Sequence, residues 1–154
     1  MKYVFPMTVL AAALAVPSFA AARQVTFETQ MSNYGGDGAY VALYLTDRAG
    51  QYHSTLWVAG PKVKYHRHLR DWSRAKGGAR VDGVTGASVG AGKTLRVTLD
   101  LADTLIDAGY EVRIDTAVED MKKNPSEVVA PLTTAGANKA VQGSGYVKSF
   151  RYSL

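Results

Sequence analysis

Ala39-Tyr-Val-Ala-Leu-Tyr-Leu-Thr46, then Asp47-Arg-Ala-Gly50, then Gln51-Tyr-His-Ser-Thr-Leu-Trp-Val58 is the stretch whose reading decides the fold. Both arms are rich in β-branched and aromatic residues, which pack well on a pleated surface. The four residues between them combine Asp with Gly, the usual chemistry of a tight reversal. Together they predict a β-hairpin. Outward from it, Gln24–Gln30, Lys93–Leu99, Gly109–Val118, Glu127–Leu132 and Tyr146–Tyr152 read as further strands, several with the period-two alternation of a half-buried strand. Only Lys64–Arg74 changes period. Tyr65, Leu69 and Trp72 recur at i, i+4 and i+7, which predicts a short helix of about three turns. Ala75–Gly92 reads as a long glycine-rich loop. Seven strands and one inserted helix predict an all-β, immunoglobulin-like antiparallel β-sandwich. The expectation covers architecture alone, because the cysteine pair of true immunoglobulin domains is missing.

Composition agrees with one folded domain. The chain has 154 residues, 47% apolar and 20% charged, enough apolar material for a core. It has no cysteine. Disulfides, thiolate zinc sites, iron–sulfur clusters, cysteine nucleophiles and thioether-linked haem are therefore excluded. Met1 and Lys2 precede an apolar run from Tyr3 to Val16, followed by Pro17 and a small-residue stretch through Ala22. This is the pattern of a secretory signal peptide over 1–22, with cleavage after Ala20 or Ala22, and residues 23–154 form the expected single domain. The run is short for a membrane span and no cysteine follows for lipid attachment, so no anchor of its own is expected. Removing Lys2 leaves 17 basic against 13 acidic side chains, a charge near +4. A mildly basic exported protein, periplasmic in a Gram-negative cell, is no candidate for nucleic acid or cytosolic ATP.

Three chemical motifs carry little. Ala87-x-x-x-x-Gly92-Lys93-Thr94 imitates a phosphate-binding loop, but a strand is expected after Lys93 where such a loop needs a helix. His53, His66 and His68 lack accompanying carboxylates and read as solvated or capping residues, with no metal site. Ser73 and Ser88 lack a Gly-x-Ser-x-Gly elbow, and no other constellation suggests an active site. A basic cluster, Lys62, Lys64, Arg67, Arg70, Arg74, Lys76 and Arg80, reads either as a solvated face or as an anion site.

The most specific signal is Asp82-Gly-Val-Thr85-Gly86-Ala87-Ser88. It resembles the acceptor motif of exported proteins onto which a flavin transferase moves the FMN half of FAD through a phosphoester bond. The resemblance implies Ser88 as the acceptor hydroxyl, Asp82 and Thr85 as presenting residues, and Gly86 and Ala87 as small residues that admit the loop to the transferase. Gly90 stands where many such motifs carry a further hydroxyl. The order of landmarks from Tyr40–Tyr44 through Trp57, Tyr65, Leu69, Trp72 and Asp82–Ser88 to Ala108–Arg113 and Ala117–Asp120 resembles a family of predicted periplasmic proteins of unknown function, over roughly Gln24 to Leu132. That resemblance implies a β-sandwich carrying covalent FMN in extracytosolic electron transfer, with a flavin transferase and a PepSY-type membrane protein as partners. In that reading the chain is an electron carrier, and Trp57 or Trp72 either stacks on the flavin or packs in the core. The alternative is a non-catalytic periplasmic binding module without cofactor, in which the basic segment docks an acidic partner.

Overall fold

The computed structural model describes residues 21–81 and 84–154. The signal-peptide stretch up to residue 20, and Asp82 of the acceptor-like motif, lie outside the described residues. The described chain runs β1 (Ala22–Met31), β2 (Tyr40–Thr46), β3 (Tyr52–Ala59), a 3-10 turn (Val63–His68), α1 (Arg70–Lys76), β4 (Thr85–Gly86), β5 (Thr94–Ala102), a 3-10 turn (Asp103–Leu105), β6 (Glu111–Ala117), β7 (Lys123–Pro131) and β8 (Val147–Ser153). The strands form one sheet ordered β5-β1-β8 and a second ordered β4-β3-β2-β6-β7. This is the all-β sandwich with a helical insert that the sequence predicts. The β2–β3 hairpin closes through Asp47, whose carbonyl accepts the Gly50 N–H at 3.0 Å and whose carboxylate accepts the Gln51 N–H at 2.9 Å.

Three details differ from expectation. β7 begins at Lys123, because Lys123 and Asn124 pair with Ala117 and Thr116 across a bulge. The glycine-rich loop holds a two-residue strand, β4, which pairs with β3 in parallel. The expected helix divides at Leu69, whose φ of −81° and ψ of 81° are not helical. The i, i+4, i+7 stripe persists in part, with Leu69 and Trp72 fully buried and Tyr65 only half-buried.

The sandwich interior is built from alternate residues of both sheets. Val25 and Phe27 of β1, Phe150 and Tyr152 of β8, Val41, Leu43 and Leu45 of β2, and Val112 and Ile114 of β6 form its centre. Burying each such side chain contributes about 1.5–3 kcal/mol. A second, smaller core lies outside the five-stranded sheet, where Leu69 and Trp72 cover Ala42, Tyr44, Val58 and Ala117. β2 is thus covered on both faces, which explains its nearly unbroken apolar sequence. Trp72 also donates its indole N–H to Thr55 Oγ1 at 2.9 Å.

Candidate functional site

The acceptor-like loop is fastened at both ends by backbone pairing. The Val58 N–H donates to Val84 O at 2.7 Å and the Gly60 N–H to Gly86 O at 2.8 Å. Two residues past Ala87, Val89 is buried and exchanges both hydrogen bonds with Ala39, at 2.7 and 2.9 Å. Ala87 and Ser88 are the exposed pair between these fixed points, and Thr85 is exposed as well. Gly86 is small for a packing reason, since a Cβ there would lie 2.7 Å from the Trp57 ring. Gly38 is small for a reason that concerns Ser88 directly. A Cβ at position 38 would lie 2.5 Å from Ser88 Oγ, so the missing side chain makes the room that the hydroxyl occupies.

Ser88 lies on the wall of a cleft of about 620 Å³. That volume lies within the range of pockets that take cofactor-sized ligands, about 300–1,000 Å³. Tyr40, Tyr65, Lys62, Met121 and Lys123 share the wall with it. Tyr40 meets Tyr65 edge-on, with ring centres 5.9 Å apart and planes at 82°. The Tyr40 hydroxyl accepts the Lys62 N–H at 3.2 Å, which ties the start of the 3-10 turn to β2. The ammonium groups of Lys62 and Lys64 lie 5.9 and 4.9 Å from the centre of the Tyr65 ring, a cation–π arrangement. His68, also on the wall, has its pKa lowered from 6.5 by burial and then by the charges of Lys123, Arg67 and Arg70. It is therefore mostly neutral at pH 7. Acidic side chains, Asp37, Glu119 and Asp120, complete the rim. The cleft offers one hydroxyl, two phenol rings, a thioether and charges of both signs.

Thr85, Gly86, Ala87 and Ser88 stand together on one fastened loop, and Ser88 alone of them lines the cleft. Of the two tryptophans, Trp72 is sealed from solvent, while Trp57 is half-buried and lies outside the cleft lining. Trp72 is fully buried beneath α1, and Trp57 packs against the sandwich core under Gly86. The basic cluster also divides. Lys62 reaches the cleft, Arg74 makes a 3.4 Å surface pair with Asp71, and Lys76 lies 5.3 Å from the Trp72 ring centre. His66 corrects the reading of solvated or capping histidines. It is buried, with Nε2 2.7 Å from Gly60 O, and so braces the turn after β3. Lys93 and Thr94 lead into β5, so no helix N-terminus faces a phosphate there. Among the described residues, no group of three or more His, Asp or Glu side chains is placed to hold a metal ion. No described helix is long and apolar enough to cross a membrane.

Tyr40, Met121 and Lys123 carry no motif and were not legible as site residues. Tyr40 opens β2 opposite Ala117 of β6, and Met121 and Lys123 come from the turn after β6 and the start of β7. Only the strand order β3-β2-β6-β7 brings that edge of the sheet beside the loop carrying Ser88. No curated protein and no solved structure matches the chain. Residues 22–149, nearly the whole described sandwich, match the family DUF2271, described as predicted periplasmic proteins. The chain belongs to that family of predicted periplasmic proteins.

Proposed function

We propose that this protein is a periplasmic carrier of covalently attached FMN, with Ser88 as the attachment hydroxyl, and that it serves extracytosolic electron transfer with a membrane redox partner. The observation that carries the reading is the position of Ser88. Ser88 is an exposed residue between two backbone-fastened points, and it lines the cleft that also holds Tyr65. Attachment joins Ser88 Oγ to the phosphorus of the FMN half of FAD, breaks the pyrophosphate bond, releases AMP and gives up the hydroxyl proton. Catalysis of that transfer belongs to the transferase. The role of this chain is to present the nucleophile. The exposed Thr85 and Ala87 precede it on the loop, and the missing side chain of Gly38 makes room for its hydroxyl. When bound, flavin supplies one- and two-electron redox chemistry, while the protein positions it and tunes its surroundings.

The test is the intact mass of the protein after coexpression with a flavin transferase, for the native chain and for Ser88→Ala. An FMN-sized addition on the native chain alone is expected. A transferase that modifies a control substrate but leaves this protein unchanged would sink the reading and leave the cofactor-free binding module in its place.

A further inference from the structure

Three features border the cleft. Tyr65 belongs to the apolar stripe of the inserted segment, yet it is half-buried and borders the cleft while its stripe partners are sealed beneath it. Its ring is held in place by Tyr40 edge-on and by His68, whose ring centre is 6.2 Å away at an interplanar angle of 27°. Met121 is 37% exposed and is one of three large apolar side chains exposed among the described residues, and it borders the same space. A thioether is polarizable and makes favourable contacts with aromatic rings. Lys62 and Lys123 add cationic charge to the wall. An immobilised phenol and a partly exposed methionine, in a cleft of about 620 Å³ whose wall mixes two ammonium groups with the carboxylates of Asp37, Glu119 and Asp120, match a flat, electron-poor ring system.

We propose that this cleft is the seat of the isoalloxazine ring, with Tyr65 as its aromatic wall and Met121 as an apolar contact. The proposal rests on the reading of Ser88 as the attachment point and adds where the ring lies. Tethering makes even a weak seat effective, because a short link raises the local concentration of the ring to the order of millimolar. Tyr65 then has a role that packing alone does not require. A phenol against the ring quenches flavin fluorescence by electron transfer from the phenol, and it shields one face of the ring from solvent.

The experiment compares flavin fluorescence of the modified native chain with Tyr65→Leu, Tyr65→Trp and free FMN, with intact mass confirming attachment in each. The native chain is expected to be several-fold dimmer than free FMN. Tyr65→Leu is expected to recover most of the brightness, and Tyr65→Trp to stay dim. Time-resolved anisotropy of the native chain is a second measure that needs no variant. A seated ring tumbles with the protein, and a swinging ring shows a fast component. Full attachment with free-FMN brightness and a dominant fast component would overturn the seat while leaving Ser88 as the acceptor. If the native chain gains no FMN mass, the attachment reading fails, and titration of free FMN into the unmodified chain decides the seat separately. Saturable quenching lost in Tyr65→Leu supports it, and no saturable quenching overturns it.

Discussion

Asp115 shows how much a single residue can organise. It sits in β6 between Ile114 and Thr116 and is completely buried. Its carboxylate accepts the Tyr44 hydroxyl at 3.0 Å, the Ser126 N–H at 2.8 Å and the Trp72 N–H at 2.9 Å. The last bond caps α1 from another element, which matters because Leu69, at the N-cap, has no side-chain oxygen. Ser126, with φ of 43°, is held in the left-handed region by its own N–H bond to Asp115 and by its hydroxyl's donation to Asp71 at 2.7 Å. Burial raises the Asp115 pKa, partly offset by these three donors. The Tyr44 pKa is raised too, first by burial and then by the neighbouring Asp115 charge. Asp115→Ala leaves three buried donors without their acceptor and is expected to cost about 3 kcal/mol, read as a lower urea midpoint at pH 7. A loss below about 0.5 kcal/mol would show that water replaces the carboxylate without cost. In the sequence, Asp115 was only one polar residue in an alternating strand. Its burial depends on the helix segment that covers the outer face of the sheet.

At the element scale, the three-stranded sheet carries a charge ladder across its solvent face. Glu28 of β1 stands opposite Arg96 of β5 and Arg151 of β8 in register. It pairs with Arg151 Nε at 2.6 Å and with Arg96 as well. The Glu28 pKa is lowered from 4.5, chiefly by the Arg151 hydrogen bond, with both arginine charges adding to it. A depressed carboxyl pKa stabilises the fold above its unfolded-state value, and that contribution is lost as pH falls through the folded-state value. Glu28→Gln is therefore expected to melt lower than the native chain at pH 7. The gap should narrow once pH drops below about 4.5 and close at lower pH, and a gap independent of pH would refute the ladder. The alternation of β1 was legible from Gln24–Gln30, because one sheet face is wet and the other dry. The ladder was not legible, because register joins residues more than 60 positions apart. The inserted segment was legible as a change of period, but its break at Leu69 was not. Leu69 has to reach the outer face of the sheet, and that packing outweighs helical continuity.

For the whole molecule, the start of β1 is tied to the far end of β5. Ala21 O accepts the Asp103 N–H at 2.8 Å, Ala22 pairs with Ala102, and Arg23 Nε lies 2.9 Å from Asp103 Oδ1. The two candidate signal cleavages therefore differ physically. A chain beginning at Ala21 keeps the first bond, and one beginning at Arg23 loses it with the first strand pair. Thermal unfolding of the two forms should favour the Ala21 form by about 1 kcal/mol, and equal midpoints would show that these residues fray. By itself, the sequence determined the all-β class, the helical insert, the exclusion of thiol chemistry and the acceptor-like motif. The first three are properties of local periodicity, turn chemistry and composition, which local interactions along the chain suffice to set, and the motif is a resemblance carried by seven consecutive residues. Only the tertiary structure decided that Ser88 lines a cleft, that Tyr65, Met121 and Lys123 share its wall, and that Trp72 is sealed in the outer core. Those relations join a loop, a turn and a sheet edge distant in sequence, and the energetics that align them are the burial of apolar surface and the pairing of backbone groups across the sandwich.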